Sequence, residues 1–359
     1  MSYQVGDVIN GKYTVTRDFD SANGGQCQWG FAECRGKEFF IKKFLSPVYP
    51  GDKAPGSETK KQERKNKCLE FEQKQQALIN ALSDCGDGGL VVKTIDCFKY
   101  GDEYGQHYFK VSEKVNTSSL SDRVYTLEPS KRLFVMLTAV GALKILHRNR
   151  IVHLDLKPDN ILIQESERNL VAKIIDFDNS ILKGETLSPE LLVGDTVYYS
   201  PEFGQYLATD GEEAPPDEKS DIFSLGLIFC QYWAGKLPEF PSRYAYAYQA
   251  VLEGERLTLP KVSTEEAKPK EKPSRLKGSL ISSTASKDHA TSLENELACV
   301  VEKMLAKVPT SRPSASEVHK QIKQLYHYGT LSKSEAKETA SKTDKTRKTR
   351  LKFGNNLKK

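Results

Sequence analysis

Residues 153–160 read His-Leu-Asp-Leu-Lys-Pro-Asp-Asn, and after two short β-type runs the chain reaches Asp176-Phe177-Asp178. This ordered stretch constrains the fold more than any other feature. A polar loop must stand beside a β-hairpin whose return strand delivers a second carboxylate. The stretch offers one isolated carboxylate (Asp155), a lysine two residues later (Lys157), an amide five residues later (Asn160), and Asp176 beyond the hairpin. Phosphoryl transfer needs such parts: a group to orient a hydroxyl, a cation against developing phosphate charge, and oxygen ligands for magnesium. Any one Asp or Asn in a loop is ordinarily a turn former or cap. Ordered together, they point to chemistry.

The chain on either side divides by pattern. Residues 13–19 and 37–44 carry β-branched and aromatic runs, and glycines at 24, 25, 30 and 36 punctuate them, which predicts an antiparallel sheet. A polar loop is expected over 46–57, where prolines stand at 47, 50 and 55, and then a long charged helix over 58–82. Two more strands are expected near 90–99 and 106–115, with a turn at Gly101-Asp102. From residue 129 the period changes, predicting helices over 129–148, 220–234, 243–253, 293–306 and 314–326, with short strands near 161–164 and 171–175. A strand-rich part followed by a larger helical part implies an α+β, bilobal fold packed around a cleft.

Composition excludes several classes. No run of eighteen apolar residues occurs, so no membrane span is expected, and residues 1–10 do not read as a signal peptide. The seven cysteines form no CxxC pair and the six histidines no HExxH, which argues against structural zinc or a disulfide framework and for the reducing cytoplasm. Net charge is +5, yet residues 331–359 hold ten Lys/Arg against three Asp/Glu, so the remainder is slightly acidic. The basic character belongs to a tail. Its one aromatic residue, Phe353, supplies no interleaved stacking for nucleic acid, whereas its charge suits an acidic partner. Residues 261–291 and 330–359 have few apolar anchors and are expected to be mobile. Oligomeric state is not encoded in any feature of the sequence.

The 153–160 stretch resembles the catalytic loop of eukaryotic-like (Hanks-type) serine/threonine protein kinases, as a divergent member. The resemblance extends over a kinase domain at 10–327, with an N-lobe at about 10–115, a C-lobe at about 116–327, an insertion at 261–291 and a basic tail at 328–359. It implies a protein-kinase-like fold that uses ATP and Mg2+, with Mn2+ as an alternative ion, to phosphorylate Ser/Thr of protein substrates and of itself. Asp155 would orient the substrate hydroxyl or accept its proton, Lys157 would meet the transferred phosphate, and Asn160 and Asp176 would ligate metal. Phe39-Phe40-Ile41-Lys42 resembles the third-strand motif whose lysine pairs with nucleotide phosphates, and Glu72 is the chosen helix partner of Lys42, with Glu70 and Gln75 as alternatives. Ser112-Glu113-Lys114-Val115 resembles the hinge that binds adenine through backbone groups at Glu113 and Val115, with Ser112 behind the base. Gly25, Cys27 and Leu162 are placed against the nucleotide by the same resemblance. Residues 194–202 resemble the end of an activation segment, and Arg312 is expected to pair with Glu202.

The departures are equally specific. Counting back from Lys42 puts Asp20, Ala22 and Gly25 at the three usual glycine positions, so one glycine survives. Phe40 stands where an alanine usually covers adenine, Asp178 replaces the glycine after Asp176-Phe177, and Leu154 replaces the arginine that receives an activation-loop phosphate. An activation segment held without phosphate follows as an expectation. These departures favour the alternative of a nucleotide-binding pseudokinase serving as a signalling scaffold. Retention of Lys42, Asp155, Lys157, Asn160 and Asp176 together favours the enzyme, and Ser200-Pro201-Glu202 favours protein over small-molecule substrates.

Overall fold

The computed structural model describes residues 3–21, 27–83, 85–86, 88–118, 121–165, 169–185, 188–192, 194–262 and 282–329; for 121, 122, 191 and 282–290 it describes the backbone alone. The N-terminal part comprises β1 (Val8–Ile9), β2 (Tyr13–Asp20), β3 (Cys27–Cys34), β4 (Lys37–Pro50), α1 (Glu58–Ser83), β5 (Thr94–Gly101) and β6 (Gly105–Glu113). Its six strands form one antiparallel sheet in the order β1-β2-β3-β4-β6-β5.

Two-residue alternation gives the sheet two chemically different faces. Tyr13, Ile41, Phe109 and Val111 point to one side and bury a small apolar core with Ile9, Val15, Phe19 and Ala32. Phe40 and Lys42 fall on the opposite face. The register sets Phe40 against Ser112 and Lys42 against Lys110 on β6. One hydrogen-bonded pair of strands therefore delivers four side chains to the same side.

The polar loop expected over 46–57 is partly strand, because β4 runs to Pro50. Pairing with β3 ends at Cys27 and Phe44, whereas pairing with β6 resumes at Val48 and continues to Pro50. Among the described residues the strand beyond Phe44 has one neighbour, β6, and a proline is tolerated where its missing N–H would face no partner. Helix α1 is charged nearly throughout and docks through Cys68, Gln75, Leu78 and Leu82, its buried residues.

The C-terminal part contains α2 (Pro129–Arg148), β7 (Ile151–Val152), β8 (Ile161–Glu165), β9 (Leu170–Ile174), β10 (Ile181–Leu182), α3 (Pro201–Ala208), α4 (Glu218–Ala234), α5 (Ala247–Leu252), α6 (Ser282–Met304) and a last helix, α7, at 315–329. Thirteen of the seventeen residues of α4 are buried, which makes it the central helix of this part. Its core partners include Leu133, Met136, Leu143 and Leu146 of α2. A fully buried Leu contributes about 1.5–3 kcal/mol by leaving water. Gly226 lets α4 approach Leu305 closely, since a Cβ there would lie 2.9 Å from its Cδ2. Helix α6 begins eleven residues before the expected 293, inside the stretch read as unanchored. A helix whose start carries no apolar periodicity gives no signal in sequence. The remainder of the expected insertion, 263–281, and the tail from 330 lie outside the described residues.

Candidate active site

The catalytic-loop candidates are fixed by hydrogen bonds from two directions. Asp221, in the first turn of α4, is buried, and its carboxylate accepts the backbone N–H groups of His153 and Leu154, both at 2.8 Å. It also meets His147 Nε2 at 2.9 Å. His153 is buried and reaches the Ile175 carbonyl through Nε2 at 2.9 Å, while its ring packs edge-on to Phe177. The loop at 153–160 and the turn at 176–178 are thereby tied together. Leu154 and Asp176 both adopt a positive φ of 62°, a conformation costly for a residue with a Cβ. The surrounding bonds hold both there.

Asp155 is nearly buried and its carboxylate faces a set of donors. Oδ2 accepts from Asn160 Nδ2 at 3.2 Å and from Asn179 Nδ2 at 3.3 Å, and Oδ1 accepts from the Asp195 backbone N–H at 3.2 Å. Lys157 Nζ lies 3.7 Å from Oδ2. Asn160 also donates to the Asp155 carbonyl at 2.7 Å, which commits its NH2 and leaves the amide oxygen as the end able to meet a cation. Among the described residues no cluster of three or more His, Cys, Asp or Glu could hold a metal unaided. One carboxylate and one amide oxygen suit a hard cation that completes its shell with phosphate oxygens and water.

A cleft of about 270 Å³ opens beneath the sheet, lined above by Phe31, Phe40, Lys42, Lys110 and Ser112 and below by Leu162 and Asp176. Glu113 and Val115 close its back edge. Phe40 stacks on Trp29 with ring centroids 5.8 Å apart and meets Phe31 edge-on at 5.9 Å, forming an aromatic roof. Cys27 begins β3 and is buried, which pushes its thiol pKa up to about 12. Gly25 lies outside the described residues.

Glu72 does not meet Lys42. It accepts from Lys99 Nζ of β5 at 2.9 Å and from Tyr108 Oη of β6 at 2.7 Å. Burial works against its charge, but those two donors outweigh it and lower its pKa. The turn of α1 directs this carboxylate to β5 and β6, and places Gln75 inward as a buried residue. Lys42 instead lies 3.0 Å from Asp176 Oδ1 and 2.6 Å from Asp178 Oδ2. Lys110 forms a second ion pair with Asp178, and Lys74 Nζ lies 3.5 Å from the Asp178 carbonyl. Burial lowers the pKa of Lys74. For Asp178 burial opposes ionisation, yet Lys110 and Lys42 hold its carboxyl well below the usual range. Asp176 is pushed up by burial and by the neighbouring Asp178 charge. Lys42 is raised because the two carboxylates outweigh its desolvation.

Lys110, Lys74 and Asn179 were not among the sequence candidates. Lys110 carries a signal in retrospect: strand alternation puts it on the Ser112 face, where a cation needs an anion, and Asp178 supplies one.

The segment 194–202 is anchored at its far end. Arg312 is buried and grips Glu202 with a two-pronged pair, Nη1 to Oε1 at 2.7 Å and Nη2 to Oε2 at 2.8 Å. Ser220 Oγ adds a bond to Glu202 at 2.6 Å, and Ser224 Oγ donates to the Tyr198 carbonyl at 2.7 Å. Leu154 is buried with Val152, Ile181, Leu192, Tyr199, Phe203 and Tyr206 in one apolar cluster.

A small antiparallel sheet over a helical part, with a cleft between them and an Asp–Asn loop beside a second aspartate, defines a protein-kinase architecture. The protein kinase domain family model matches residues 58–322, and the chain belongs to that family. It is 36% identical over 160 residues to the serine/threonine-protein kinase PknA of Corynebacterium glutamicum, covering 42% of this chain and 32% of that one. It is 26% identical over 238 residues to the serine/threonine-protein kinase pkn2 of Myxococcus xanthus, covering 64% and 25%. A match of 35% over 117 residues links it to the serine/threonine-protein kinase STY46 of Arabidopsis thaliana, covering 32% and 19%. The chain thus spans a third or less of the length of these relatives. No helix among the described residues is long and apolar enough to cross a membrane.

Proposed function

We propose that this chain transfers the γ-phosphate of ATP to serine and threonine hydroxyls of protein substrates, its own included. The observation that carries the reading is that Lys42 and Asp176 face each other in one cleft, while His153 ties the Asp176 turn to the loop that carries Asp155 and Asn160. Asp155 is the acceptor that orients the substrate hydroxyl and takes its proton. Lys157, beside it, offsets charge on the phosphoryl group in flight. Lys42 binds the nucleotide phosphates, and the hinge backbone at Glu113 and Val115 binds the base, with Ser112 behind it and Leu162 beneath. Asn160 and Asp176 hold Mg2+ or Mn2+, which supplies neutralisation of the phosphate charge. Positioning and preorganised charge supply most of the rate enhancement.

Protein rather than small-molecule substrates follow from the anchored segment at 194–202, whose Glu202–Arg312 pair fixes a platform beside Asp155. The apolar cluster around Leu154 holds that segment by burial, so an activating phosphate has no structural task there. The test is a transfer assay with γ-labelled ATP, Mg2+ and a mixed protein substrate, followed by phosphoamino-acid analysis. Label on serine or threonine is expected. Nucleotide binding without transfer across a broad substrate panel would instead make the chain a scaffold.

A further inference from the structure

We propose that Asp178, not a carboxylate of α1, is the positioning residue for Lys42, and that Lys110 anchors it. The inference rests on the nucleotide-phosphate role given to Lys42 above.

A lysine that must meet phosphates on a flexible four-carbon stem needs a fixed anion beside it. Here α1 offers none: Glu72 is bound to Lys99 and Tyr108, and the inward residue one turn on is the neutral Gln75. Lys42 donates to both oxygens of Asp176 at 3.0 Å, but that carboxylate is the one assigned to metal, and a second anion comes from the turn after it. Asp178 Oδ2 stands 2.6 Å from Lys42 Nζ as a charge contact without hydrogen-bond alignment, and its other oxygen is held by Lys110. Both lysines and Asp178 have side chains no more than 15% exposed, so these pairs are poorly screened. The register explains the fit, because Lys42 and Lys110 are directly opposed on β4 and β6 and project to one side.

Asp178 adds a carboxylate beside Asp176, and Lys110 supplies an ion-pair partner for it, so that with Lys42 and Lys74 three lysines face the two carboxylates of this turn. Without Lys110 the second Asp178 oxygen would lose its ion-pair partner. Asp178 and Lys110 therefore act as one unit. A consequence follows for control: Lys42 is set from the turn at 176–178 and the sheet, so displacement of α1 does not carry away its partner.

The test uses Asp178→Asn, Lys110→Met, their double variant, and Glu72→Gln in the full chain. Loss of Lys42 orientation is expected to lower kcat of Asp178→Asn about tenfold or more, with KM for ATP within about threefold. Removal of one carboxylate should at the same time tighten binding of metal-free ADP, read by calorimetry, by about threefold. General structural damage would weaken both, so the opposite signs identify positioning. Glu72→Gln is expected to stay within about twofold in both readouts, and the double variant to lose no more than Asp178→Asn alone. The proposal is overturned if Asp178→Asn keeps its kcat, if turnover and ADP affinity both fall, if Glu72→Gln loses as much, or if the two losses multiply. Should the wild type transfer no phosphate, the functional reading fails by itself. The ADP measurement still decides whether Asp178 or Glu72 sets the charge at Lys42.

Discussion

Replacing Arg312 by alanine removes a buried cation whose every N–H is satisfied. Its Nε donates to the Ala306 carbonyl at 2.7 Å, Nη1 to Glu202 and to the Lys219 carbonyl at 2.9 Å, and Nη2 to Glu202 and to the Lys307 carbonyl at 3.1 Å. All five N–H groups are used, and the guanidinium lies over the Phe223 ring at 5.0 Å. Deletion strands the Glu202 carboxylate in a site where burial already opposes its charge. Removing one member of a buried pair costs about 3–5 kcal/mol, a large share of the roughly 5–15 kcal/mol that holds a domain together. At about 2–4 °C per kcal/mol, the melting temperature should fall by about 6–20 °C. Lysine should rescue little, since it cannot fork. Arg312→Met combined with Glu202→Met should lose less than Arg312→Ala alone, because no charge is stranded. The pair also has a pH signature. Arg312 and Ser220 outweigh burial and lower the Glu202 pKa, so its contribution is full above the ordinary carboxylate range and is lost as pH falls through the folded value. The stability gap between wild type and Glu202→Gln, from urea unfolding, should therefore narrow on acidification from about pH 7 to about pH 3. A melting temperature for Arg312→Ala within about 2 °C of wild type would refute the reasoning.

Leu154→Ala opens a cavity under the segment at 194–202 and is expected to cost about 2–5 kcal/mol, measured by denaturant unfolding; a cost below about 0.5 kcal/mol would show that the cluster does not hold the segment. Phosphatase treatment of the purified protein should leave its transfer rate within about twofold, because no arginine occupies position 154 to receive a phosphate. Rate loss on dephosphorylation, restored by a phosphomimetic residue in the segment, would contradict that. Phe40→Ala breaks two ring contacts worth about 0.5–1.5 kcal/mol each and should lower thermal stability accordingly.

The parts of the site that read directly from sequence are those whose partners lie close along the chain. Asp155 and Asn160 are five residues apart, and their hydrogen bonds are nearly built into the loop. The strands expected over 37–44 and 106–115 fall within β4 and close to β6, and α1 ends within a residue of its expected limits. Glu202 and Arg312, 110 residues apart, were legible through family resemblance. The partner of Lys42 was not legible, because it depends on how α1 is rotated against the sheet. That helix is polar on nearly every face, so several carboxylates compete with no apolar stripe to fix the rotation. Lys110 was hidden for the complementary reason. A lysine in a strand is ordinarily solvent-facing, and only the sheet register brings it to Asp178. The end of β4 falls within the stretch expected as loop, since its pairing with β6 is a property of the whole sheet and not of the local prolines.

The central claim is that Asp155 and Asp176 serve phosphoryl transfer. It is tested most directly by comparing wild type, Asp155→Asn and Asp176→Asn for incorporation of label from γ-labelled ATP with Mg2+, each shown by its melting curve to be folded. The account predicts labelled serine or threonine in the wild type and a loss of at least about a hundredfold in both variants. Folded variants that transfer phosphate as fast as the wild type would contradict it.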